Sequence, residues 1–111
     1  LVLSINNKGV AEWNNIIHKE QSSDNTDHFL SYATFNTGAG IHFLFNNSDK
    51  RNQLLIDNLI TADGSLTRNP SLKSYEKGYE FMIRFAKQTG ARQLVVPCSY
   101  RQQVCFAKID F

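Results

Sequence analysis

The 111-residue chain has only two cysteines, two prolines and one methionine, and no excess of charge of one sign. Twelve Lys and Arg against ten Asp and Glu leave a formal charge of +2, with the basic residues dispersed. No stripe of Lys and Arg stands ready to neutralise several phosphates, so nucleic acid is not an expected partner. No apolar run approaches the roughly 20 residues of a membrane helix, so no such span is expected. The three histidines, His18, His28 and His42, occur in no HExxH or HxH spacing, and no Cys-x-x-Cys accompanies them, so no metal or cofactor is expected. A Gly-x-Ser-x-Gly elbow, a phosphate-cradling glycine loop and a dinucleotide fingerprint are all missing. Glu12, Asp27, Asp57, Asp63, Glu80 and Asp110 offer no spacing that would bring two carboxylates together for glycosidase chemistry. A non-enzymatic role is therefore expected.

What is present is alternation. The chain is 41% hydrophobic, the composition of an ordinary globular domain able to bury a modest core. Phe29, Ser31, Ala33 and Phe35 share one face of an extended run, and Ile41, Phe43 and Phe45 share one face of the next. Thr37-Gly38-Ala39-Gly40 joins them as a hairpin loop. An offset of 50 carries Phe35 onto Phe85, Gly40 onto Gly90, Leu44 onto Leu94 and Phe45 onto Val95. The same offset carries Leu54, Ile56 and Leu59 onto Val104, Phe106 and Ile109, so a β-unit is repeated. A second offset, of 55, superposes Gly9 on Gly64 and Ile5 on Ile60.

The expected strands cover residues 1–5, 10–17, 29–35, 41–45, 53–61, 65–68, 79–86, 92–97 and 103–111, with polar loops at 19–27 and 46–52. Residues 71–88 also carry apolar side chains at helical spacing, which would make the fold α+β. Gly78 in the middle, at a cost of about 1 kcal/mol to a helix, and the match of Phe85 to Phe35 favour a strand. Nine strands in the order two, four, three read as all-β: antiparallel four-stranded meanders of the β-propeller blade type. Residues 1–17 would end one blade, 28–69 form a whole blade and 79–111 most of another. Both chain ends lie inside strand-like runs, so a longer parent is expected, with any signal peptide upstream.

The combination of Trp13-x-x-Ile16-Ile17-x-Lys19-x-Gln21, Phe43-Leu44-Phe45-Asn46-Asn47, Val96-Pro97-Cys98-x-Tyr100-Arg101 and Phe106-Ala107-Lys108-Ile109 resembles the C-terminal part of uncharacterised, exported bacterial proteins with β-propeller-like repeats. The resemblance spans nearly the whole chain, and its motifs are structural. It implies a periplasmic, cell-envelope or secreted location and carries no known activity. The repeat, the missing catalytic motifs and the loops rich in Asn, Ser and Asp are what point to a scaffold that binds protein or glycan. The alternative is a fragment of a glycan-active propeller enzyme whose site lies mainly in other blades.

Candidate binding residues are Asn46, Asn47, Asp49 and Asn52, whose oxygens crowd one polar stretch as a cation or sugar site or, more simply, as a chain of Asx turns. Trp13, Tyr32, Tyr75, Tyr79 and Tyr100 could stack sugars or belong to the core. His28 and His42, on the two arms of one hairpin, could face each other or sit apart as partly exposed strand residues. A loop centred at Tyr100 to Gln102 would set Cys98 and Cys105 directly opposite, as a disulfide or as two buried thiols. Unmatched sheet faces and edges would drive self-association, to a dimer or trimer that completes a ring, or packing against further blades of the parent.

Overall fold

Successive side chains of an extended backbone point to opposite faces, so the alternation just described selects strands. In the computed structural model, which describes residues 1–23, 26–49, 52–73 and 78–111, the outcome is ten strands and a 3₁₀ turn. β1 (Val2–Ile5) and β2 (Ala11–Asn15) form an antiparallel hairpin. β3 (Ala33–Asn36), β4 (Ile41–Asp49), β5 (Asn52–Ile60) and β6 (Leu66–Lys73) form an antiparallel meander in chain order. In the third sheet β9 (Gln93–Tyr100) runs between β10 (Gln103–Asp110) on one side and, in succession on the other, β7 (Glu80–Phe81) and β8 (Lys87–Gly90). The chain is all-β with antiparallel four-stranded sheets. Among the described residues no sheet closes into a barrel or a propeller ring.

Residues 79–86 are not the continuous strand their alternation predicts, and no α-helix occupies the described part of 71–88. Pro97 supplies the reason. Met82 donates its N–H to the Pro97 carbonyl at 2.8 Å, but proline has no N–H to return. The Met82 carbonyl accepts from Phe85 instead, at 3.1 Å, and Ala86 donates to Ile83 at 3.0 Å. The strand therefore breaks into a 3₁₀ turn (Ile83–Phe85), which drops Ile83 fully into the core before β8 resumes the ladder. Residues 71–73 belong to β6, and Tyr75 lies outside the described residues.

The described part of the polar stretch at 46–52 is strand rather than loop. The β4–β5 ladder continues through Asn46↔Leu55, Asn47↔Leu54 and Ser48↔Gln53 to Asp49↔Asn52. β6 likewise runs well past the expected 65–68, because the register slips where Leu55↔Leu72 gives way to Asp57↔Asn69, leaving an extra residue in β6. Pro70 sits at that bulge on an edge strand, where a missing N–H breaks no ladder bond.

The core lies between the central and third sheets. Phe35, Leu44 and Leu55 from one meet Ile83, Leu94 and Val96 from the other, with Phe111 stacked on Phe35 at 4.6 Å between ring centroids. Leu44 and Leu94, equivalent under the offset of 50, thus point into the same core. The two sheets meet through matching faces, as the halves of a sandwich do. At the outer end of the third sheet, Arg101 and Gln102 both adopt positive φ, 48° and 63°, as a two-residue turn of the primed kind. This tight turn puts Cys98 directly opposite Cys105, with Cα atoms 5.1 Å apart and the sulfurs in disulfide contact.

The β1–β2 hairpin covers the other face of the central sheet. Trp13 donates from its indole to the Ala62 carbonyl at 3.0 Å, and Asn15 donates to the Gly64 carbonyl at 3.1 Å. The Trp13 ring lies flat on Gly64, where a Cβ would fall 2.7 Å from it and where φ is +88°. The turn it covers is held by Asp63, whose carboxyl is drawn below its usual range first by the Thr61 hydroxyl and then by the Ser65 N–H.

Candidate functional site

The outward face of the central sheet carries Phe43 and Phe45 from β4, Ile56, Asn58 and Ile60 from β5, and Leu66 and Arg68 from β6. Beyond β2 the chain continues over this face, and between Ile16–His18 and the sheet it leaves a cleft of about 320 Å³. Ile16, Ile17, Phe45, Ile56 and Leu66 make slightly more than half of its lining apolar. Four polar groups open into it: Asn47, Asn58, Arg68 and His18.

Asn58 is the unusual one. It is 7% exposed, yet among the described residues no side chain or backbone group hydrogen-bonds its amide. Buried amides are nearly always satisfied, because leaving one unpaired costs about 1–3 kcal/mol. Register sets Arg68 directly opposite it on β6, exposed and without an acidic partner among the described residues. No carboxylate lines the cleft among the described residues. The site is thus an apolar slot with a guanidinium and amides on one wall, suited to holding a small polar or anionic group by hydrogen bonds.

A second polar group of residues lies on the inward face. His42 Nδ1 donates to the Asp57 carboxylate at 2.9 and 3.0 Å, Asn69 donates to the same carboxylate at 2.8 Å, and Thr37 Oγ1 lies 3.3 Å from His42 Nε2. A carboxylate only accepts, so Nδ1 carries the hydrogen, and Nε2 faces the Thr37 hydroxyl. Hydroxyl, imidazole and carboxylate in that order match a nucleophilic triad. Here, however, His42 and Asp57 are each 6% exposed, and the Phe35 and Phe111 rings lie 5.9 and 5.0 Å from the imidazole. The aromatic cover closes the imidazole off from solvent, and the network serves the fold.

The residues singled out from sequence are dispersed. Asn46 is buried and donates to the carbonyls of Phe29 at 3.1 Å and Phe81 at 2.7 Å, tying two segments to β4. Asn47 lines the cleft. Asp49 and Asn52 pair at the end of the β4–β5 ladder, and their side chains lie outside the described residues. His28 is exposed against Phe85, ahead of β3, while His42 is buried, so the two do not form a pair. Tyr79 and Tyr100 stack at 4.5 Å, Trp13 is spent on the Gly64 turn and Tyr32 lies beside Phe43, so the aromatics make no common platform. Among the described residues no three His, Cys, Asp or Glu gather as a metal site.

Sequence reasoning missed Asn58, Arg68 and the His42–Asp57 pair. A signal existed for both polar side chains of β5. Asp57 and Asn58 interrupt Leu54-Leu55-Ile56 and Leu59-Ile60, and polar groups inside such a run must find partners or face a ligand. No protein-family model, curated protein or solved structure matches the chain.

Proposed function

We propose that the chain is a non-catalytic binding scaffold, of the protein- or glycan-binding class associated with the bacterial cell envelope. The observation that carries this reading is the cleft. A buried amide and a guanidinium, both unpaired among the described residues, share a cleft whose described lining holds no carboxylate, hydroxyl or thiol. The expected result on an array of peptides and bacterial glycans is retention of a ligand with no product released. Release of a cleavage product by the purified chain would instead establish the enzymatic alternative.

The scaffold also has faces to build with. On the outward side of the third sheet Val104 and Phe106 are 69% and 72% exposed, and at the opposite end of the stack Leu1, Leu3 and Ile5 are exposed beside one another. These strands turn their other, half-buried faces toward the chain, so the occupant that fits is a further sheet of the same kind, supplied by a second copy. A parent with more sheets, propeller-like as the sequence resemblance implies, would cover the same faces. Light scattering at micromolar concentration should then give a mass above the monomer, reduced to monomer by Val104→Lys with Phe106→Lys. A monomeric 111-residue chain under those conditions overturns this part of the reading.

A further inference from the structure

We infer that the cleft beneath Ile16–His18 is a carboxylate site for a ligand with a compact apolar body, either a free organic acid or the C-terminal residue of a peptide with an aliphatic side chain. The inference rests on the binding-scaffold reading and names the chemistry the site would select.

Charge decides the first half. Arg68 presents a planar fork of donors that matches the two oxygens of a carboxylate, and it has no acidic partner among the described residues. Asn58, directly across the β5–β6 ladder, can donate to the same group from a position already stripped of water. A donor buried in advance has lost its hydration in the free protein, so each hydrogen bond it makes to a ligand is not offset by new desolvation. Asn47 and His18 extend the polar wall. The lining holds no acidic residue among the described ones, so an ammonium or a metal cation finds nothing to balance it.

Shape and surface decide the second half. Sugars are usually held against the flat faces of Trp or Tyr, and neither lines this cleft among the described residues. Its walls are aliphatic, from Ile16, Ile17, Ile56 and Leu66, with Phe45 at the base. About 320 Å³ is the lower end of the range for small-molecule pockets and fits a body the size of a leucine side chain with its carboxylate.

The test is titration of the 111-residue chain by calorimetry or ligand-observed NMR with four probes: 4-methylvalerate, N-acetyl-leucine, N-acetyl-leucinamide and glucuronate. The expected result is binding of the first two and little or none of the last two. N-acetyl-leucine binding more tightly than 4-methylvalerate supports the site with a peptide C-terminus as source, and equal binding supports it with a free acid as source. Arg68→Gln, an exposed substitution that leaves the fold intact, should weaken both roughly ten- to a hundredfold. Asn58→Leu, which fills the polar gap with an apolar group, should weaken them by a similar factor while raising the melting temperature or leaving it unchanged. Binding of the amide as well as the acid overturns the carboxylate site, as does an Arg68→Gln variant of undiminished affinity. Binding of glucuronate alone overturns the apolar-body assignment yet leaves a glycan-binding scaffold standing, and silence from all four probes overturns the site while the array experiment still judges the scaffold.

Discussion

Replacing Asp57 with alanine should destabilise the protein by about 2–6 kcal/mol, the cost of leaving two buried donors unpaired at about 1–3 kcal/mol each. In the native chain this carboxylate accepts from His42 Nδ1 and from Asn69 Nδ2, and His42 in turn meets the Thr37 hydroxyl. The change strands two donors in a space closed by Phe35 and Phe111, where no described side chain replaces the carboxylate. Asp57→Asn keeps the shape and one acceptor, and the imidazole can change tautomer to accept from the new amide, so about 1–2 kcal/mol is expected. Urea unfolding of both variants measures the difference. A typical domain has only about 5–15 kcal/mol to lose, so the alanine variant will be marginal and the asparagine variant supplies the comparison if it fails to fold. Losses below about 1 kcal/mol for both would mean that the network contributes little.

Gly40→Ala should destabilise the protein by about 3 kcal/mol. The added Cβ would fall against the Ile60 carbonyl, 3.1 Å from its carbon and 2.8 Å from Leu59 Cδ1. Leu59 can turn aside, but the Ile60 backbone cannot, because it pairs with Ile41 in the β4–β5 ladder and with Leu66 in the β5–β6 ladder. Gly38, in the same loop, is the control. It sits at φ +84° with nothing within 4 Å of where a Cβ would stand, so its alanine variant meets only the left-handed backbone cost of about 1–2 kcal/mol. Thermal unfolding should rank Gly40→Ala below Gly38→Ala in stability. The reverse order would show that the close approach at Gly40 relaxes freely and that backbone conformation governs this loop.

The legible part of the fold was the part made by neighbours in sequence. Alternation placed each of the three sheets along the chain, and the Asp63-Gly64 turn and the Tyr100 to Gln102 region marked their reversals. The Cys98–Cys105 pairing follows from the turn alone, since a two-residue reversal fixes every partner on the two strands it joins. The candidate site was legible only in part. Asn47 was picked out with Asn46, Asp49 and Asn52 because polar residues cluster there, yet a cluster in sequence splits between the two faces of a strand. Asn46 turns inward to bridge Phe29 and Phe81, while Asn47 turns outward to the cleft.

Local pattern in the chain thus specifies the class of structure: all-β, antiparallel, in hairpins whose registers are set by short-range turn chemistry. Which face of each sheet is buried, and against what, is settled only when the sheets pack. Pro97 breaks a strand that precedes it in the chain by withholding one N–H, and Leu44 and Leu94 enter one core because matching rather than opposite faces meet. Asn58 becomes a site residue because Ile16–His18, a segment far earlier in the chain, passes over it. Each of these is a contact between distant parts of the chain, and its free energy depends on how sheets pack against one another, which local propensity and periodicity do not encode.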